Sequence, residues 1–306
     1  MDFQVIFLGT AGSIPTTQRA LPAVAVKRKN ELFLFDCGEG VQRQMIRAKV
    51  SFHKKTKVFI THMHGDHVLG LPGLLQTMAL LDRREKLEIY GPSGIKAFID
   101  AIEETVQFAR TFPINIKEVT IAGIVCEEEE YTVQAAKANH VTDAWAYAMV
   151  EKPRPGRFNQ EKALKLGIPE GPLWSKLQHG ENIKLPNGEI VRPKNVLGKP
   201  RLGRRIVYTG DTRPTKALVK LAENGDLLIH EATFGDELKE RADEDGHSTP
   251  SEAAEIAKKA KVKRLILTHL SARYKKPDTL LKQARETFKN VTVAEDFMRI
   301  ELKQAK

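Results

Sequence analysis

Phe59-Ile60-Thr61-His62-Met63-His64-Gly65-Asp66-His67 places three imidazoles and one carboxylate within six positions, directly after a β-branched apolar run. Imidazole is the commonest metal ligand near neutral pH, and carboxylate complements it. Four such groups cannot all be core packing, because each would need its own buried hydrogen-bond partner. A strand that ends in a metal-binding loop is therefore expected. One segment cannot complete such a centre, since zinc takes about four ligands and a catalytic site keeps one place for water. Open α/β sheets gather their sites at the carboxyl ends of strands. Three residues have that placement: His140 after the strand expected at 131–138, Asp211 after 206–208, and His269 after 265–267.

The rest of the chain alternates as an α/β protein should. Strands are expected at 3–8, 32–35, 58–61 and 87–90, with helices at 40–48, 71–81 and 95–111. Residues 131–138 and 144–150 read as strands. Further strands follow at 206–208, 227–230, 265–268 and 291–293, with helices at 215–223, 251–260 and 279–288. The acidic run Glu127–Glu130 reads as a solvated hairpin turn. No stretch approaches the length of apolar residues needed to cross a membrane, and the start of the chain reads as a strand rather than a signal peptide. Only Cys37 and Cys126 are present, which excludes a disulfide framework and fits a reducing, cytoplasmic setting.

Charge is unevenly distributed. The formal net charge is +10, and residues 151–205 carry +8 of it, together with seven of the fifteen prolines and seven of the twenty-one glycines. Such a segment makes turns and short pieces. We read it as a basic arm inserted in a single domain spanning 1–306, suited to a polyanionic partner.

His-x-His-x-Asp-His with a later His, Asp and His resembles the metallo-β-lactamase superfamily. Within it, the chain is most similar to the ribonuclease Z family of tRNA 3′-processing endonucleases. The features that carry the likeness are Phe35-Asp36-Cys37-Gly38-Glu39-Gly40, the His62–His67 segment, Gly70-Leu71-Pro72-Gly73-Leu74, His230-Glu231-Ala232-Thr233, His247-Ser248-Thr249 and His269-Leu270-Ser271-Ala272-Arg273-Tyr274. The basic arm also falls where that family carries its tRNA-gripping insertion. The resemblance implies a four-layer αβ/βα sandwich and two Zn2+ ions per chain, with Mn or Fe also compatible. His62, His64, His140 and Asp211 would hold the first ion. Asp66, His67, Asp211 and His269 would hold the second, with Asp211 bridging. It further implies a homodimer acting on precursor tRNA, leaving a 3′-hydroxyl on the tRNA and a 5′-phosphate on the trailer by attack of a hydroxide held between the metals.

Within that frame Asp66 is a candidate base as well as a ligand. His247 is a candidate acid for the leaving oxygen, with Glu231 fixing its other ring nitrogen. Arg273, Arg19 and the arm residues Gly171, Pro172 and Lys176 are candidate substrate contacts. The family loop Pro-x-Lys-x-Arg-Asn corresponds to Pro15-Thr16-Thr17-Gln18-Arg19-Ala20, which keeps the Pro and Arg but not the Lys and Asn. Two other readings stay open on the residues alone. One is a small-molecule hydrolase of the same fold, a cyclic phosphodiesterase or glyoxalase II-like thioesterase, which has no need of the arm. The other is a nucleic-acid-binding protein with a structural metal, although structural zinc is usually a closed site.

Overall fold

Strands Leu227–Glu231 and Leu265–Thr268 are buried at every residue, and a strand hidden on both faces needs a layer on each side. The computed structural model supplies those layers over residues 3–304; residues 1, 2, 305 and 306 of the expected domain lie outside the described residues. One seven-stranded sheet runs in the order Arg299–Glu301, Phe3–Gly9, Ala23–Arg28, Glu31–Phe35, Lys55–Phe59, Leu87–Gly91 and Ile114–Glu118. The last four of these pair in parallel. The second runs Val291–Val293, Leu265–Thr268, Leu227–Glu231, Arg205–Tyr208, Trp145–Glu151, Tyr131–Lys137 and Gly123–Glu127.

Each sheet is covered outside by helices whose apolar residues recur every three or four positions. Val41 and Met45, Leu71, Leu74, Leu75 and Met78, and Ile95 and Ile99 pack on the first sheet. Leu218 and Leu221, Ala253, Ile256 and Ala257, and Leu280 and Ala284 pack on the second. The helix Pro250–Lys259 starts as its sequence dictates: Thr249 accepts from the Glu252 amide, and Glu252 accepts from the Thr249 amide at 3.0 Å. A cap of this kind contributes about 1 kcal/mol. Between the sheets the inner faces meet through aromatic rings, with Phe35 5.8 Å from Tyr208 and Phe59 5.4 Å from Tyr147. The result is the four-layer αβ/βα sandwich of the metallo-β-lactamase fold.

Several expectations shift in the structure. The third helix ends at Thr105 rather than near 111. The strand expected at 58–61 begins at Lys55 and ends at Phe59, so Ile60 and Thr61 belong to the ligand loop. Strands Ala23–Arg28, Ile114–Glu118, Gly123–Glu127 and Arg299–Glu301 add to those expected from sequence. The acidic run does close a hairpin, but Glu128 is not merely solvated: it accepts from the buried Lys57 ammonium at 2.7 Å.

The chain divides into two compact units, one of residues 3–128, 132–150 and 205–303, the other of residues 129–131, 151–204 and 304. The second unit is more than turns. Ala163, Ile168, Trp174, Leu177, Ile183, Leu185, Val191 and Val196 form a small core of their own. Its two legs are tied by the Arg154–Arg201 bridge and by a buried ion pair, Arg204 Nε donating to Glu151 at 2.6 Å.

Candidate metal centre

The ligand loop is pinned before it reaches its histidines. Asp36, at the end of the neighbouring parallel strand, sits in left-handed backbone at φ 56°. Its carboxylate accepts from the Thr61 amide at 2.8 Å, from the Tyr208 hydroxyl at 2.9 Å and from His67 Nδ1 at 2.7 Å. Asp66 and His67 then fall in the first turn of the short helix Gly65–Val68. From the opposite sheet Gly210, at φ 58°, lies close against Thr61 just before Asp211; a Cβ on Gly210 would lie 2.7 Å from the threonine side chain. His269 is itself in left-handed backbone at φ 58°, the kind of strain held where surrounding structure demands it.

Proton accounting shows what these groups await. His67 Nδ1–H donates to Asp36, and His140 Nδ1–H donates to the Gly246 carbonyl at 2.7 Å. Thr233 Oγ1 donates to Glu231 at 2.8 Å and therefore accepts from His269 Nδ1, also at 2.8 Å. Thr61 Oγ1 likewise donates to Asp36 and accepts from His62 Nδ1 at 3.0 Å. All four Nε2 atoms are thereby left as bare lone pairs. His67 Nε2 lies 3.2 Å from His269 Nε2, and His140 Nε2 lies 3.3 Å from His64 Nδ1. Converging lone pairs at that range repel unless a cation joins them. The fully buried His62 Nε2 and Asp211 Oδ1 have no hydrogen-bond partner at all, a condition polar atoms rarely tolerate.

The ligating atoms of His62, His64, His140 and Asp211 all lie within 4.8 Å of one another, as do those of Asp66, His67 and His269. Asp211 Oδ2 also stands 3.3 Å from the Nε2 atoms of both His67 and His269. The structure thus brings all seven expected ligands together, with Asp211 reaching both sets. The donor set, imidazole with carboxylate, fits a divalent metal.

Asp211, His247 and His269 form a third grouping, but His247 Nδ1 is already engaged by Glu231 at 3.0 Å. Burial disfavours the imidazolium of His247, and Glu231 followed by Asp211 more than offsets it, raising the pKa to about 9. Glu231 has little lone-pair capacity left. It also accepts from the amides of Thr212, Thr233 and Ser248, each at 3.0 Å.

A cavity of about 300 Å³ opens on this cluster, lined by His64, Asp66, His140, Asp211 and His247 together with Phe234, Arg241 and Arg273. Arg19 is elsewhere. It donates to Thr10 at 2.7 Å and to the Ala294 carbonyl at 2.6 Å, beside a separate cavity with Arg43 and Arg47. Gly171, Pro172 and Lys176 are exposed at the start of the arm helix Pro172–Gln178. Sequence reasoning quoted Asp36 and Thr233 only inside the motifs that carry the family likeness and gave neither a role in the site, and it missed Arg241, which carried no signal.

Residues 3–150 match the family model described as Anti-Pycsar protein Apyc1, and residues 195–270 match the Beta-lactamase superfamily domain. The ribonuclease Z of Methanosarcina acetivorans is 47% identical over 300 residues, covering 98% of each chain. That of Haloferax volcanii is 46% identical over 307 residues, covering 100% of this chain and 96% of its own. Among solved structures, human tRNase Z, short form, superposes with a TM-score of 0.73 at 32% identity, covering 98% of this chain and 99% of that one. YhfI from Bacillus subtilis, a metallo-beta-lactamase fold protein, gives 0.69 at 20% identity, covering 98% of this chain and 100% of that one.

Proposed function

The chain belongs to the ribonuclease Z family, and from that premise we propose that it removes the 3′ trailer of precursor tRNA by hydrolysis at a pair of zinc ions. The observation that carries the reading is Asp211 standing between two imidazole-rich ligand sets. His62, His64, His140 and Asp211 would hold one ion; Asp66, His67, His269 and the shared Asp211 would hold the other. Two such ions supply an acidified water and a Lewis-acid clamp on the phosphodiester.

The remaining work belongs to the chain. Ser13 donates its amide to Asp66 Oδ2 at 2.9 Å, which leaves Oδ1 to accept a proton from the attacking water. The water oxygen bonds to phosphorus as the bond to the 3′ oxygen breaks. His247, with Nδ1 fixed by Glu231, protonates that leaving oxygen from Nε2. The products are a 3′-hydroxyl on the tRNA and a 5′-phosphate on the trailer. Asp36 and Thr233 hold the ring orientations of His67 and His269, as outer partners of metal ligands generally do. The arm, with its excess of Lys and Arg, binds tRNA phosphates, and Gly171, Pro172 and Lys176 are its proposed contacts. Arg19 is a proposed contact for the tRNA end. In this reading the enzyme is cytoplasmic and homodimeric, and a partner subunit would cover the exposed Leu80 and Leu81.

A substrate panel tests the reading. The protein is incubated with precursor tRNA, bis(p-nitrophenyl) phosphate and S-lactoylglutathione, each with and without chelator. Chelator-sensitive release of the trailer from precursor tRNA, far faster than either small substrate is turned over, is expected. Thioester turnover without RNA cleavage would instead establish the small-molecule hydrolase.

A further inference from the structure

Phe234 lines the metal cavity, is only 6% exposed, and packs edge-on against His247 at 5.8 Å. Two guanidinium groups lie over its ring: Arg273 at 5.1 Å and Arg241 at 5.5 Å from the centroid. Both line the same cavity. A guanidinium seated over a ring is held by the ring without using its N–H donors. Here Arg273 Nε donates to Ser271 at 3.2 Å, and Arg241 Nε donates to Asp245 at 3.3 Å. The terminal nitrogens of both hydrogen-bond to nothing among the described residues. Asp245 offsets one positive charge in the cavity wall, and its i, i+4 pair with Arg241 is too exposed to hold much energy.

We propose that Arg241 and Arg273, set on Phe234, form a phosphate clamp for the RNA linkage adjacent to the scissile one. The sequence singles out Arg273 alone as a phosphate contact; Arg241 and the ring that seats both extend it to a two-sided site. Paired terminal N–H groups match the oxygens of a phosphodiester bidentately, which a single Lys cannot do. The clamp rests on the RNA-cleaving reading above, and it accounts for one step of substrate choice. A diester with no neighbouring phosphate has nothing for the clamp to hold. The arginines are positioning residues: they place the strand so that the scissile phosphorus reaches the metals.

The test uses the metal-loaded full chain and a precursor tRNA carrying one uncharged methylphosphonate linkage, placed first on one side of the scissile bond and then on the other. At one of these positions the neutral linkage is expected to lower wild-type kcat/KM about ten- to a hundredfold, the range of a charge-assisted hydrogen bond. The same substitution should cost Arg241→Ala and Arg273→Ala less than it costs wild type, and should change kcat/KM of the double variant less than about threefold, since the charge there has no partner left to lose. Arg241→Lys should fall between, and Phe234→Leu should weaken the coupling while leaving both arginines in place. If the neutral linkages cost the alanine variants as much as the wild type at both positions, the clamp is overturned. If wild type fails to cleave the unmodified precursor, the RNA reading itself has failed, which is a separate result.

Discussion

In the proposed mechanism His247 is the side chain at which binding metal and turning over substrate separate. Its Nδ1 is committed to Glu231 and its ring borders the cavity. His247→Ala is therefore expected to lower kcat on precursor tRNA by about 10²–10⁴-fold while the metal content stays at the wild-type value. A substrate with a good leaving group should recover much of the loss, because it needs no proton. An unchanged kcat would remove His247 from the reaction. At the far end of the strands Glu88 makes a pH prediction. Burial pushes its pKa up, but Tyr90, Lys86 and Lys57 outweigh that and bring it down to about 2. A carboxylate whose folded pKa lies below its unfolded one stabilises the fold above the unfolded value, and that stability drains as pH falls through it. Glu88→Gln should thus lower Tm at pH 7, and its gap to wild type should narrow between about pH 4.5 and pH 3. A gap constant over that range would show that the charge of Glu88 does not matter.

At the scale of elements, the limits of the sequence become physical. His62 to His67 is legible because four ligand types crowd into one loop, and His140, Asp211 and His269 because each follows an apolar run. Asp36 does not stand out as a site residue, since a lone Asp after a strand looks like any turn; only the parallel pairing beside Lys55–Phe59 gives it His67 as a partner. Ala23–Arg28 escapes because Ala23 and Ala25 dilute the β-branched signal of Val24 and Val26, yet antiparallel pairing to Phe3–Gly9 settles it. The arm reads as turns because prolines and glycines dominate it, while the eight residues of its small core are spread too widely for a periodic signal. That core gives the arm its own prediction. Replacing residues 152–201 with a short Gly/Ser linker should raise KM for precursor tRNA and flatten its salt dependence, by a slope of about 0.7–0.9 for each phosphate that the arm no longer neutralises. Hydrolysis of bis(p-nitrophenyl) phosphate should persist, since every proposed metal ligand lies outside the cut. An unchanged salt slope on precursor tRNA would show that the arm does not grip RNA.

For the whole molecule, the sandwich exists to bring ligands from two sheets to one point. His62, His64, Asp66 and His67 follow a strand of the first sheet, while His140, Asp211 and His269 follow strands of the second. Neither half can build the centre alone, and Asp211 is the residue through which the two ligand sets meet. The most direct test counts metal and turnover in one preparation of wild type and of Asp211→Ala, by elemental analysis beside cleavage of precursor tRNA. Wild type should carry two zinc equivalents per chain and release the trailer with a 5′-phosphate. The variant should keep its fold by circular dichroism, hold fewer metals, and lose cleavage by more than about a thousandfold, the scale of a lost metal-activated nucleophile. An Asp211→Ala protein with two metals and wild-type turnover would contradict the account.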